Sequence, residues 1–303
     1  MSERAAAIER AATLALELAG ETRLALGCMG LAGTYGRVDR AVAEDTLMAA
    51  LDGGVRLFDA APLYGNGLAE ELLGAMLADQ PIAIATKFGL AAAADGKLVR
   101  DSRPSTIRAS VESSLRRLRR DRVDVLLQHR PDPSVSDDDV AEVLLRLVEE
   151  GKAAHVGLSH TSEPRVRQLR ARVPIEFVQN EMSAAVVPSD GEGVADFASL
   201  GVVFMAHSPL ARGILAGIAP RRFNADDYRS RMLDHDATNQ ARIIDLARAR
   251  GVGGGHGSPV TEALNWVLAQ GRSVIAVVGA RSPQQVRELL SRADETGIRP
   301  GAH

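Results

Sequence analysis

Apolar positions along the chain switch between two spacings. Short runs dense in valine, isoleucine, leucine and alanine recur at 24–27, 55–59, 82–86, 123–127, 154–158, 175–178, 202–206 and 274–278, each of strand length. Between them, apolar residues return every three or four positions over 41–53, 69–78, 104–119, 138–151 and 164–172. The first spacing predicts buried strands and the second amphipathic helices, so the chain reads as repeated strand–helix units around a parallel sheet. Helix-end chemistry supports the division: Pro104 and Pro164 open helical segments, and Gly53 and Gly151 close them. The run Asp137, Asp138, Asp139 fits the first turn of a helix, where carboxylates offset the dipole.

Eight strand-like runs with no linker or composition break predict a single α/β domain over 1–303. A closed (β/α)8 TIM barrel is the economical fold, with an open sheet of six to eight strands as the alternative. The alanine-rich start, 1–20, reads as an N-terminal extension, helical or frayed. The last helix is expected to end near Ala293. That leaves 294–303 as a short flexible tail whose only large apolar anchor is Ile298. One interval breaks the pattern: about seventy residues separate the seventh and eighth runs, roughly twice the usual unit. It holds helical segments at 238–250 and 259–269 and a glycine run at 251–257, and long loops in compact domains are often functional.

Composition narrows the function without naming it. With 46% hydrophobic and 25% charged residues the chain has ordinary globular content, and a net charge of −3 with dispersed arginines speaks against a nucleic-acid partner. No segment has the length and apolarity of a signal peptide or membrane span, so a cytoplasmic location is expected. A lone cysteine, Cys28, excludes an intramolecular disulfide or a thiolate cluster and fits a reducing compartment. The histidines lack His-Glu-x-x-His spacing, so no metal is expected, and His155, His235, His256 and His303 read as structural or exposed. The glycine run lacks a Gly-Lys-Ser/Thr ending, and no Gly-x-Gly-x-x-Gly follows a strand; the run reads as a flexible connection.

Chemistry concentrates where strands end. Asp59, Lys87, His129, Ser159, Gln179 and His207 follow six successive runs, with Tyr64 five residues beyond Asp59. In a parallel barrel these ends converge on one face. Each residue alone is an ordinary loop or capping residue; together they make a polar site. A phenol with pKa ~10 is a poor acid at neutral pH, and a neighbouring ammonium eases release of its proton. Lys87 fits that role beside Tyr64. Asp59 supplies the lysine's counter-charge, and His129 can hydrogen-bond the tyrosine or a substrate oxygen.

Seven segments in order then resemble the aldo-keto reductase family, closest to bacterial members whose first strand reads like Leu26 to Gly30. They are Gly54 to Gly74, Ala85 to Gly89, His129 to Pro133, Gly151 to Ser159, Val178 to Glu181, His207 to Gly213 and Val278 to Gln285. The resemblance spans about Leu24 to Leu290. It implies an NADPH-dependent oxidoreductase that reduces an aldehyde or ketone by hydride transfer, with Asp59, Tyr64, Lys87 and His129 as catalytic tetrad and Tyr64 as proton donor. It also implies that Ser159 and Gln179 hold the carboxamide and that Ser208, Leu210 and Arg212 lie along the phosphates; at the cofactor positions His160 and His207, an imidazole can still donate to the carboxamide and stack on the nicotinamide. Gly279, Arg281 and Gln285 would sit at the adenosine end and its 2′-phosphate.

The chain departs from the family pattern at His160, His207, Val278 and Leu289, where asparagine, tyrosine, proline and asparagine are usual. Each change concerns the cofactor. Met29, Tyr35, Phe88 and Arg130 are candidate walls of the substrate pocket. Aromatic content of only 3% points to a small or polar carbonyl, sugar-like or short-chain. A nicotinamide-binding regulatory or scaffold subunit on the same barrel is the alternative, and the retained tetrad counts against it. Hydrolytic or isomerase chemistry would need an acid–base pair or metal that the sequence does not offer.

Overall fold

The computed structural model describes residues 2–93, 95–186, 193–217, 222–232, 236–255 and 257–290. The strands are β1 (Leu24–Gly27), β2 (Leu57–Asp59), β3 (Ala83–Phe88), β4 (Leu90–Ala92), β5 (Leu98–Arg100), β6 (Val123–Gln128), β7 (Ala153–Ser159), β8 (Ile175–Glu181), β9 (Val203–His207) and β10 (Val274–Gly279). The helices are α1 (Glu3–Ala19), α2 (Arg40–Asp52), α3 (Leu68–Leu77), α4 (Pro104–Leu118), α5 (Asp137–Glu149), α6 (Glu163–Arg170), α7 (Val194–Ser199), α8 (Ala237–Arg248), α9 (Pro259–Leu268) and α10 (Pro283–Leu290). Eight parallel strands form a closed barrel in the order β1-β10-β9-β8-β7-β6-β3-β2. Pairing of β1 with both β2 and β10 removes any free edge, which excludes the open sheet. The antiparallel β4-β5 hairpin stands apart from the barrel. Neither that hairpin nor the six-residue α7 was expected; both are too short to leave a periodic signature.

Helix ends follow local chemistry. Ser136 caps α5 by accepting the Asp139 amide, and Asp137, Asp138 and Asp139 fill the first turn. Pro104 opens α4, and the chain leaves it at Arg119 in the left-handed conformation, φ 54°.

Two buried layers result from the period-two alternation of the strands. Ala25, Leu57, Ala85, Val125, Leu127, Phe177, Met205 and Val277 fill the barrel interior. Phe58, Ile84, Phe88, Leu126, Val156, Leu158, Val178 and Phe204 face the surrounding helices, joined there by Ile107, Val111 and Leu144. The segment 1–20 carries α1, whose Ala11, Ala15 and Ala19 form a stripe of small side chains lying against the start of the barrel interior. Gly157 is a site of close approach: a Cβ there would lie 2.2 Å from the Phe177 carbonyl oxygen and 2.7 Å from Leu127. The space is already taken by Phe177.

Strands β3, β7, β8 and β9 run one to three residues further than their apolar runs. The ladder does not stop where hydrophobicity does. Consequently Lys87, Ser159, Gln179 and His207 belong to strands and not to loops, on rigid supports.

Candidate active site

On five of the barrel strands the inward face ends in a polar residue two positions beyond an apolar one. Leu57 leads to Asp59, Ala85 to Lys87, Leu127 to His129, Phe177 to Gln179 and Met205 to His207. The apolar members close the floor, and the polar members gather above it.

Lys87 is the hub of this group and is only 1% exposed. Its Nζ donates to both carboxylate oxygens of Asp59, each at 2.8 Å, to the Ala60 carbonyl at 2.8 Å and to the Tyr64 hydroxyl at 3.2 Å. Gln179 Nε2 donates to Asp59 Oδ1 at 2.8 Å from across the barrel. Burial acts to lower the lysine's pKa, yet Asp59 and Tyr64 outweigh it and the ammonium is held above its ordinary range. For Tyr64, burial raises the phenol while Lys87 pulls the other way, and the net direction is up. Among the described residues nothing accepts the tyrosine's own proton.

The His129 ring stands edge-on to Tyr64 with centroids 6.0 Å apart. Burial first, then the charges of Lys87, His160 and Arg130, lowers its pKa to about 2. It is a neutral imidazole at physiological pH. His160, at φ 50°, is lowered to about 3 by burial and by Arg130, and its ring lies 4.8 Å from that of His207. His207 is likewise pushed well below its usual range, chiefly by burial, and its Nδ1 lies 3.1 Å from Ser208 Oγ.

Two buried polar atoms here have no partner among the described residues: Ser159 Oγ and His207 Nε2. Ser159 is directly paired with Gln179 across β7 and β8, and Glu181 with His207 across β8 and β9. A hydroxyl, an amide and an imidazole thus stand side by side, the hydroxyl and the imidazole each with hydrogen-bonding capacity to spare. The backbone then turns sharply, with Ser208, Ala211 and Arg212 at φ 57°, 46° and 55°. Arg212 Nη2 pairs with Glu181 at 2.7 Å, and Leu210 is half-buried beside it.

The rim beyond β10 is held by its own hydrogen bonds. Arg281 Nη2 donates to the carbonyls of Gly36 and Arg37 at 3.1 and 3.3 Å, and its Nε is buried without a partner. It is tying down the loop after β1. Gln285 accepts the Arg281 amide at 2.8 Å, and Gly279 is exposed. Leu289 and Val278 are both buried in the layer between barrel and helices, so the apolar residue at 289 packs inward.

Of the candidate pocket walls, Met29 and Arg130 are partly exposed. Tyr35 lies under the Arg229 guanidinium, 4.5 Å from its ring centre, and its phenol is pushed up to about 12 by burial. Phe88 is a correction: it is 1% exposed and packs outward with the helix layer, because it follows the inward-facing Lys87 on the same strand. It offers no wall to a ligand.

Three functional-looking residues escaped the sequence reading. Glu181 anchors Arg212; Asn180 clamps Thr161 through two hydrogen bonds of 3.0 and 2.7 Å; Asp227 grips Arg229 and bridges to Tyr35. Glu181 was findable, since it shares the inward face of β8 with Gln179. The stretch around Asp227 carries no periodic pattern. His155 contacts Glu176 at 2.7 Å, away from this group, whereas His235, His256, His303 and the tail 294–303 lie outside the described residues. Among the described residues no group of three His, Cys, Asp or Glu is placed to hold a metal, and no helix is long and apolar enough to cross a membrane.

The structure is thus an eight-stranded barrel with a buried lysine–aspartate–tyrosine cluster at its mouth. Residues 23–296 match the model of the aldo/keto reductase family, and the chain belongs to that family. It is 33% identical to a probable aldo-keto reductase 1 of Glycine max over 92% of this chain and 84% of that protein. It is 31% identical to the aldo-keto reductase YhdN of Bacillus subtilis (strain 168), over 88% and 84%. Among solved structures it resembles a glycerol dehydrogenase from Gluconobacter oxydans, with a TM-score of 0.75, 31% identity, and coverage of 93% of this chain and 95% of that one. The chain is therefore an oxidoreductase of the class that acts on small carbonyl compounds with a nicotinamide cofactor.

Proposed function

We propose that the chain reduces an aldehyde or ketone with NADPH, Tyr64 delivering the proton. The observation that carries this reading is the Tyr64 hydroxyl, which accepts from Lys87 and keeps its own hydrogen uncommitted among the described residues. Ser159, His160 and Gln179 would hold the nicotinamide carboxamide, His207 would lie against the ring, and Ser208, Leu210 and Arg212 would follow the phosphates. Gly279, Arg281 and Gln285 would flank the adenosine end. The bound cofactor supplies the hydride.

This chain's residues do the rest. Burial keeps the Tyr64 proton in place until a substrate oxygen gains negative charge, and the adjacent ammonium then stabilises the phenolate left behind. Asp59 holds Lys87 charged and fixed, and Gln179 fixes Asp59. Neutral His129 can donate one hydrogen bond to the same oxygen without competing as an acid. The preference for NADPH rests on Arg281, whose unpartnered Nε can turn to a 2′-phosphate.

Tyr64→Phe tests the reading. Carbonyl-dependent NADPH oxidation should fall by ~10²- to 10⁴-fold while the fluorescence-titrated cofactor affinity holds. Retention of most of the turnover would remove Tyr64 as the acid, and equal affinities for NADPH and NADH would remove the cofactor preference.

A further inference from the structure

One half-buried guanidinium at the barrel mouth, that of Arg130, is not paired with a carboxylate among the described residues. Lys87 is paired with Asp59, Arg212 with Glu181 and Arg229 with Asp227. Arg130, immediately after His129 and partly buried, has no hydrogen bond or ion pair among the described residues. Its charge acts on groups from several elements around the mouth: Tyr64 beyond β2, His129 beyond β6, His160 beyond β7, Glu181 at the end of β8 and Arg212 beyond β9. Glu181 attracts it from a distance but is itself engaged by Arg212 at 2.7 Å. Arg100, the other cation nearby, is exposed and donates to the Pro131 carbonyl at 3.5 Å.

A guanidinium partly removed from water and left unpaired is costly, and its planar fork matches carboxylate or phosphate oxygens. We propose that the substrate carries a carboxylate or phosphate a few bonds from its carbonyl, and that Arg130 is the residue that binds it. This rests on the carbonyl-reduction reading above. Arg130 determines specificity here, while Tyr64 acts on the carbonyl oxygen. The Arg130 charge is felt at both His129 and Tyr64, so an anion bound to it would lie on their side of the mouth. The phosphates of the cofactor are assigned to other segments, 208–212 and 279–285.

The test is steady-state kinetics of the protein with NADPH on matched pairs of carbonyl compounds. Glyoxylate and succinic semialdehyde are set against glycolaldehyde and butanal, and glyceraldehyde 3-phosphate against glyceraldehyde. The anionic member should have the higher kcat/KM by ~10- to 100-fold, the range of a charge-assisted hydrogen bond. Arg130→Met should erase that ratio mainly through KM, and Arg130→Lys should keep part of it. The carboxylate and phosphate pairs decide which anion is used. Saturable binding of oxamate to the protein with NADP+, lost in Arg130→Met, gives a readout without turnover. Equal efficiency within each pair, or a ratio unchanged in Arg130→Met, overturns the proposal and leaves carbonyl reduction standing. A loss of NADPH affinity in Arg130→Met with the ratio intact assigns the residue to the cofactor and overturns it too. No turnover of any of these compounds by protein that binds NADPH overturns the carbonyl-reduction reading, and the anion proposal falls with it.

Discussion

Two buried carboxylates lie on opposite sides of β3, served by adjacent residues of that strand. Inside the barrel, Asp59 takes Lys87; outside it, Glu70 on α3 accepts from Thr86 Oγ1 and from Arg117 Nε at 2.7 Å, and it is ion-paired with Arg117 Nη2 at 2.6 Å. Both are almost fully buried, Asp59 at 3% and Glu70 at 0% exposure. The outer network closes on itself: it ties α3 and α4 to the barrel wall, and every carboxylate oxygen is used. The inner one ends on a tyrosine proton with no acceptor and stands beside orphaned atoms of Ser159 and His207. Burial and ion pairing are alike in the two. What separates a reaction centre from a staple is the hydrogen-bonding capacity left over.

The sharpest way to break that comparison is to remove the basic residue from one network and the acid from the other. Lys87→Met leaves Asp59 buried beside only Gln179, so folding stability should drop by ~3–5 kcal/mol in urea titrations. Turnover should fall with it by ~10²- to 10⁴-fold, measured where the variant is fully folded. Glu70→Ala strands Arg117, but that side chain is 24% exposed and can be rehydrated. Its cost should be smaller, ~2–3 kcal/mol. Turnover of the folded Glu70→Ala protein should change far less than that of Lys87→Met. A collapse of turnover in Glu70→Ala without unfolding would mean that the outer network also positions the reacting groups.

That contrast also explains what was legible in the sequence. The barrel was readable because buried strands must be apolar on both faces and helices on one, so the two spacings follow directly from the layers. Asp59, Lys87 and His129 were readable because polar residues at the ends of apolar runs have few other reasons to recur. Phe88 was misplaced for a related reason. Proximity to Lys87 along the chain suggested a shared pocket, whereas the pleat sends neighbours to opposite faces. The position of Arg281 after the last strand was legible, but its Nη2 bonds to the Gly36 and Arg37 carbonyls join segments far apart in the chain and leave no local trace. The Tyr35–Asp227 bridge joins segments nearly two hundred residues apart, and no local pattern encodes such a contact.

A milder intervention compares the mouth with the exterior through pH. His129 and His160 are neutral in the folded protein, with pKa values lowered to about 2 and about 3, mainly by burial. In the unfolded chain they titrate near 6.5. Below that pH the unfolded state binds protons that the folded state refuses, so stability falls as pH drops from about 6.5 toward 3. Each histidine contributes up to ~1.4 kcal/mol per pH unit, and none of this loss is present above pH ~7. Replacing His160 with Asn should make the acid limb of the stability curve shallower by part of that slope. The rate profile should show no histidine inflection between pH 5 and 8. An unchanged acid limb in His160→Asn would show that the ring is protonated in the folded protein.

The smallest effect expected comes from a third carboxylate that has a partner but no burial. Glu142 and Arg146 form an ion pair one turn apart on α5, with side chains 60% and 58% exposed. The order is favourable, acid before base along the helix, yet water competes for both groups and salt screens them. Glu142→Gln keeps the side chain's length and helix propensity, so only the charge contact is lost. Its cost should be at most ~0.3–0.5 kcal/mol at low ionic strength, vanishing in 1 M salt, with turnover unaffected. Paired urea titrations at low and high salt measure it. A loss above ~1 kcal/mol that survives high salt would place Glu142 in a buried network after all. It would also undo the ranking in which desolvation, and not the count of ion pairs, decides how much each carboxylate matters.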